Sequence, residues 1–185
     1  MQGRLYAIVG PSGVGKDTLM REAARRLPGL HLVRRVITRP TDAGGEDFDG
    51  VSEAAFAARL ARGDFILHWQ AHGLSYGIPA DVLRVLETGH PALFNGSRAM
   101  LAQAQAQLPA LRVIHVTTRP EILAARLTAR GRESAEDIAA RLERAKIGLP
   151  QGIEAIEIDN SGPLETAVEA LVHALQPESA KRSSK

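Results

Sequence analysis

The chain has 185 residues, 44% of them hydrophobic and 24% charged, enough for one sizeable apolar core in a soluble globular protein. It has no cysteine, which excludes disulfides and thiolate metal sites, and its formal net charge of +2 is too small to argue for nucleic acid. No apolar run approaches the roughly 18–20 residues of a membrane span, and the opening Met1-Gln2-Gly3-Arg4 lacks the apolar core of a signal peptide, so a cytoplasmic protein without membrane or nucleic-acid partners is expected.

Leu5–Val9 has the pattern of a short buried strand, stopped by Gly10. Residues 18–27 repeat apolar side chains at helical spacing until Pro28-Gly29 ends them. A second strand is predicted over 32–38, and 40–50, rich in turn formers, reads as a loop. Ser52 is a good N-cap for a helix over 53–62. A strand is expected over 65–69, a turn over 73–79 and a short helix over 81–87. Ala92–Asn95 is another apolar strand, with a helix over 98–107 behind it. Residues 111–117 form the clearest buried strand of the second half. Pro120 suits the first turn of a helix over 121–130. Residues 132–134 break that pattern and 135–147 resume it. Residues 155–158 form a last strand and 163–175 a last helix, and the polar tail 176–185 is expected to be disordered. Strands alternating with helices predict a mostly parallel sheet covered on both faces.

Gly10-Pro11-Ser12-Gly13-Val14-Gly15-Lys16 matches G-x-x-x-x-G-K between a predicted strand and a predicted helix, the context a phosphate loop requires. Its glycines let several backbone N–H groups face one anion, and the helix N-terminus adds positive potential. Lys16 can reach the β- and γ-phosphates of a nucleoside triphosphate. Residue 17 is Asp, where Ser or Thr normally offers a hydroxyl to Mg²⁺. A carboxylate beside phosphates calls for a cation between them, so Asp17 predicts a tightly held Mg²⁺. The alternative is that Asp17 only favours the helix dipole and Thr18 supplies the hydroxyl.

Beyond the loop, the order of segments resembles the guanylate kinase family over roughly 4–175. Thr38-Arg39-Pro40 resembles the family's Thr-Arg-x-Pro segment, whose arginine binds the acceptor phosphate, and Val51-Ser52 with Phe56 resembles its helix entry. Trp69, Gly73 and Tyr76-Gly77 resemble its tryptophan and Tyr-Gly elements. Arg126, Arg130 and Arg141 match in spacing its lid arginines, which close over the phosphate in transfer. The guanine-reading positions differ. His68 stands where the family has a glutamate, Ile78 where a Ser or Thr follows Tyr-Gly, Asp42 where a second phosphate-binding arginine lies, and Phe48 where a tyrosine touches the acceptor. A site that reads a base by buried hydrogen bonds loses discrimination without those partners.

The loop's Gly-Lys-Asp, the run from Trp69 to Pro79 and Asn95-Gly96-Ser97-Arg98 together resemble the ribose 1,5-bisphosphate phosphokinases. That resemblance implies ATP as donor, with Mg²⁺, and transfer to the 1-phosphate of ribose 1,5-bisphosphate, giving 5-phospho-α-D-ribose 1-diphosphate in bacterial phosphonate breakdown. It implies an α/β P-loop NTPase fold: a three-layer sandwich in one domain over 1–175, with a small acceptor-binding insertion over about 34–80 and a lid over about 130–142. ATP falls to residues 10–18, that is Gly10, Pro11, Ser12, Gly13, Val14, Gly15, Lys16, Asp17 and Thr18. The acceptor falls to Arg35, Arg39, His68, His72, Tyr76 and Arg98, with Arg39 foremost and Arg98 next. His68 and His72 could equally pack beside Trp69. Catalysis falls to Lys16, Arg126, Arg130 and Arg141, with no general base. Guanylate kinase, a small-sugar kinase and a non-catalytic binding module are the alternatives, and a homodimer stays open.

Overall fold

In the computed structural model, residues 2–43, 46–131 and 133–176 are described. Strand β1 (Leu5–Val9) is buried along its whole length. It lies at the centre of a five-stranded parallel sheet, between β7 (Ala92–Asn95) and β8 (Arg112–Thr117), with β2 (His31–Leu32) and β9 (Ile156–Asp159) at the edges. Near-continuous apolar runs such as Leu5–Val9 suit this position, since a central parallel strand is covered on both faces. Period two divides the work. Tyr6 and Ile8 pack with Leu19 and Ala23 of α1 (Lys16–Arg26) and with Val168 and Leu171 of α7 (Leu164–Leu175). Leu5 and Ala7 face the other way, with Val82 and Leu86 of α3 (Val82–Glu87) and Ala104 of α4 (Leu101–Gln107). The expected three-layer α/β sandwich is the fold found.

A second, four-stranded sheet runs β4-β3-β6-β5. It comprises β3 (Arg35–Ile37), β4 (Phe48–Gly50), β5 (Phe65–Ala71) and β6 (Leu74–Pro79). Three expectations change here. The strand predicted over 32–38 is two strands in different sheets: Val33 still bonds to Leu93 O at the edge of the large sheet, and the chain then crosses to the small one. The loop over 40–50 ends in β4, parallel to β3. The turn predicted over 73–79 is β6, and the reversal occurs at His72-Gly73, both with positive φ (52° and 73°), as a tight hairpin favours. Gly77 is inside the strand because a Cβ there would lie 2.7 Å from the Phe65 ring.

Helix α2 (Glu53–Ala61) begins at Ser52, whose Oγ accepts from Ala55 N at 3.1 Å, and it stacks Phe56 on Phe65. The helix predicted from residue 98 starts with a 3-10 turn before α4. Helix α5 (Pro120–Arg130) stops at Gly131, and α6 (Ala135–Ala145) starts with a reciprocal Ser134–Asp137 capping box and buries none of its residues. The predicted break over 132–134 separates the two helices; Arg132 itself, and residues 177–185 of the tail predicted over 176–185, lie outside the described residues.

Candidate active site

The chain leaves β1 into Gly10–Gly15 and enters α1 at Lys16. Gly13 and Gly15 have φ of 88° and 99°. A Cβ on Gly13 would lie 2.7 Å from Leu127 Cδ2, and one on Gly15 the same distance from Asn160 Nδ2, so only glycine fits either place. The loop is a half-ring at a helix N-terminus, shaped to receive an anion. The Lys16 ammonium is half-buried within it, donating to the carbonyls of Gly10 (3.0 Å) and Pro11 (3.2 Å). Burial pushes the Lys16 pKa down from 10.5 to about 8. Asp17 and Glu46 oppose that shift, and Arg35 and Arg98 add to it.

The sign of this shift has two consequences. A depressed lysine pKa means that folding with Lys16 charged is penalised below about pH 8, and the penalty is relieved as pH rises from about 8 toward 10.5. A triphosphate beside the ammonium restores its affinity for a proton. ATP binding near pH 8 is therefore expected to take up protons, and ATP affinity to fall as pH rises further. Titration calorimetry in buffers of different ionisation enthalpy checks this: equal heats in all buffers at pH 8 would remove Lys16 from the nucleotide's surroundings.

The loop opens on a cleft of about 1160 Å³ between the two sheets. Lys16, Arg21, Arg35, Arg98, Arg130, Arg141 and Arg144 line it, and among the described residues Asp17 is the one carboxylate of its lining. Such a wall attracts polyanions and repels cations. Asp17 Oδ1 accepts from Asn95 Nδ2 at 3.3 Å, so the end of β7 faces the start of α1. No group of three or more acidic or histidine side chains that could hold a metal occurs among the described residues. One carboxylate with an amide oxygen, phosphate oxygens and water is nevertheless a donor set that suits Mg²⁺, which keeps several waters and binds through few protein ligands.

The structure separates residues that the sequence grouped. Arg130 and Arg141 line the cleft, and Arg141 donates to Ser12 Oγ of the loop and pairs with Glu133 at 2.7 Å. Arg126 instead donates to Val14 O (3.3 Å) and Asn160 O (2.8 Å), behind the loop. Val14 is wholly buried, whereas Pro11, Ser12, Asp17 and Thr18 face the cleft. Arg98 spends its donors on the carbonyls of Arg144 (2.7 Å), Ala145 (3.4 Å) and Ile147, so it ties the end of α6 to the core. Arg35 and Tyr76 are in the cleft. Arg39 lies over the Phe48 ring (4.3 Å) beside a smaller hollow of about 470 Å³. His68 faces a third hollow of about 840 Å³ behind the hairpin, and His72, at its turn, lines both that hollow and the cleft.

Sequence reasoning passed over Asn160 and Glu46. Asn160 is buried at the end of β9 and donates to Val14 O at 2.8 Å, bracing the loop from behind together with Arg126. The signal available was polar: Asp159 ends β9 and Asn160-Ser161 directly follow it, as residues that build a site at a strand's C-terminal end do.

Comparison with known proteins agrees with this geometry. The guanylate kinase family model matches residues 2–178. A ribose 1,5-bisphosphate phosphokinase of Ruegeria sp. is 51% identical over 180 residues, covering 97% of this chain and 95% of that protein. One of Rhizobium etli is 49% identical over 177 residues, covering 94% and 90%. A bifunctional ribose 1,5-bisphosphokinase-thymidine phosphorylase of Azorhizobium caulinodans is 43% identical over 182 residues, covering 97% of this chain and 26% of its own greater length. Among solved structures, guanylate kinase from Anaplasma phagocytophilum superposes with a TM-score of 0.64 at 17% identity, covering 100% of this chain and 88% of that one, a likeness of fold.

Proposed function

The chain belongs to the guanylate kinase family, and we infer that within it this enzyme is a ribose 1,5-bisphosphate phosphokinase, transferring the γ-phosphoryl group of ATP to the acceptor's 1-phosphate. The products are ADP and 5-phospho-α-D-ribose 1-diphosphate. The cleft supplies the observation that carries this reading. Among the described residues seven basic side chains line it, and the aromatic pair Trp69–Tyr76, the natural platform for a base, has the Arg35 guanidinium over it. That surface suits an acceptor with two anionic ends and no ring to stack.

The nucleophile is a phosphate oxygen. With a second pKa near 6 it is already largely ionised at neutral pH, so no residue needs to remove a proton. The chain's contribution is position and charge. Backbone N–H groups of the loop and Lys16 hold the β- and γ-phosphates. Arg130 and Arg141 face the group in flight and neutralise charge on its equatorial oxygens. Asp17, with Asn95 and Thr18 nearby, would hold Mg²⁺, which would supply positive charge against the phosphates' repulsion toward the acceptor. The acceptor falls to Arg35, Tyr76 and His72 at the cleft, with Arg98 tying the end of α6 beside them and Arg39 outside it at the smaller hollow. We assign 34–80 to acceptor binding and 130–142 to a lid that excludes water, within one domain over 1–175. Among the described residues no helix is long and apolar enough to cross a membrane. We place the enzyme in the cytoplasm, where ATP is.

The deciding experiment is ADP release against ribose 1,5-bisphosphate, ribose 5-phosphate, GMP and gluconate, with phosphorus NMR of the product. Rapid turnover with the first and a new diphosphate signal are expected; faster turnover with GMP would overturn the assignment. The metal role has its own check. Asp17→Ser is expected to raise the Mg²⁺ concentration for half-maximal rate by about tenfold, the effect of one lost charged ligand. An unchanged Mg²⁺ dependence would leave Asp17 with the helix dipole alone.

A further inference from the structure

Arg35 is 7% exposed, yet it forms part of the cleft wall. A guanidinium so buried needs a partner to offset its lost hydration. Glu46 is that partner: its carboxylate accepts from Arg35 Nε at 3.1 Å and also from Nη2, fork to fork. The guanidinium carbon lies 5.2 Å from the Tyr76 ring centroid and 6.0 Å from that of Trp69, and the two rings are stacked with 5° between their planes. A planar cation is thus fixed along one edge by a carboxylate and against a face by aromatic rings. Its third nitrogen, Nη1, makes no hydrogen bond to a described residue.

We propose that Glu46 is a positioning residue for the acceptor: by engaging two nitrogens of Arg35 against Tyr76 and Trp69, it turns the third toward one phosphate of the sugar bisphosphate. This rests on ribose 1,5-bisphosphate being the acceptor. Without the carboxylate, Arg35 keeps its charge and loses its aim. An anion held by it then binds more weakly, while ATP, held by the loop on the other side of the cleft, is unaffected. Outer carboxylates that orient a directly contacting group commonly act in this way.

The test is the split between the two substrates in Glu46→Gln, Glu46→Asp and Arg35→Lys. The first and third variants are expected to raise KM for the acceptor by about tenfold or more, with KM for ATP moved by less than about twofold. Glu46→Asp, which keeps the carboxylate, should recover most of the affinity. Calorimetric titration with ATP reports whether each variant holds its fold. An unchanged acceptor KM in Glu46→Gln and Arg35→Lys overturns the proposal. So does a parallel rise in both KM values, which would make the pair a brace of the fold. If Glu46→Gln does not fold, Arg35→Lys and Glu46→Asp decide by the same split. If the parent enzyme leaves ribose 1,5-bisphosphate untouched, the acceptor assignment fails instead. The split is then read with the sugar phosphate that the enzyme does use.

Discussion

Replacing Lys16 with methionine is expected to lower kcat by on the order of 10³-fold while leaving the fold as stable or more so. The two halves of this result have one cause. Lys16 is charged at neutral pH in a place that disfavours charge, where burial has lowered its pKa to about 8. Its hydrogen bonds to described residues go to the carbonyls of Gly10 and Pro11, within the loop itself. Methionine fills the channel of the aliphatic stem and removes the half-buried cation, so the ligand-free protein sheds a desolvation penalty below pH 8. What it loses is the point charge between the β- and γ-phosphates as negative charge shifts during transfer. Single-turnover rates and thermal melts of both proteins measure the two effects. A variant that keeps its rate within tenfold would mean that the arginines alone neutralise the phosphoryl group.

The parts of this molecule legible in the sequence are those in which local pattern and tertiary role coincide. Leu5–Val9 and residues 92–94 are continuously apolar because both of their faces are covered, and the glycines of the loop mark backbone that no side chain allows. Where the two diverge, the reading fails. The segment from Leu74 to Pro79 contains glycine and proline, yet it is a strand, because Gly77 makes room for a ring on the neighbouring strand. Nothing local to residues 32–38 says that the chain changes sheets after Val33. The Arg35–Glu46 pair joins a strand to a turn-rich segment eleven positions away and has no local periodicity to reveal it. Arg98 looked like a free cation for an acceptor, and its bonds to the last carbonyls of α6 come from a helix 46 residues further on.

The second large effect separates arginines that sequence spacing grouped together. Arg141→Ala is expected to lower kcat by on the order of 10³-fold, with little change in melting temperature or ATP affinity. Its side chain is 30% exposed, and it reaches the cleft from α6, which buries none of its residues, so little of the fold depends on it. Arg126→Ala is expected to behave differently. That guanidinium spans Val14 O and Asn160 O, and removing it leaves two inward-facing carbonyls short of a charged donor. A loss of about 2 kcal/mol in stability follows from hydrogen bonds of that kind. Weaker ATP binding follows too, because the peptide of Val14 is part of the phosphate cradle and Asn160 Nδ2 alone would hold it. Positions 126 and 130 are one helical turn apart, so their spacing cannot tell a side chain that faces the cleft from one that braces the loop. Melting curves and ATP titrations of both variants can tell them apart. If Arg126→Ala is as stable as its parent and as slow as Arg141→Ala, then the bonds seen behind the loop break when ATP binds, and Arg126 closes over the phosphates with the other two.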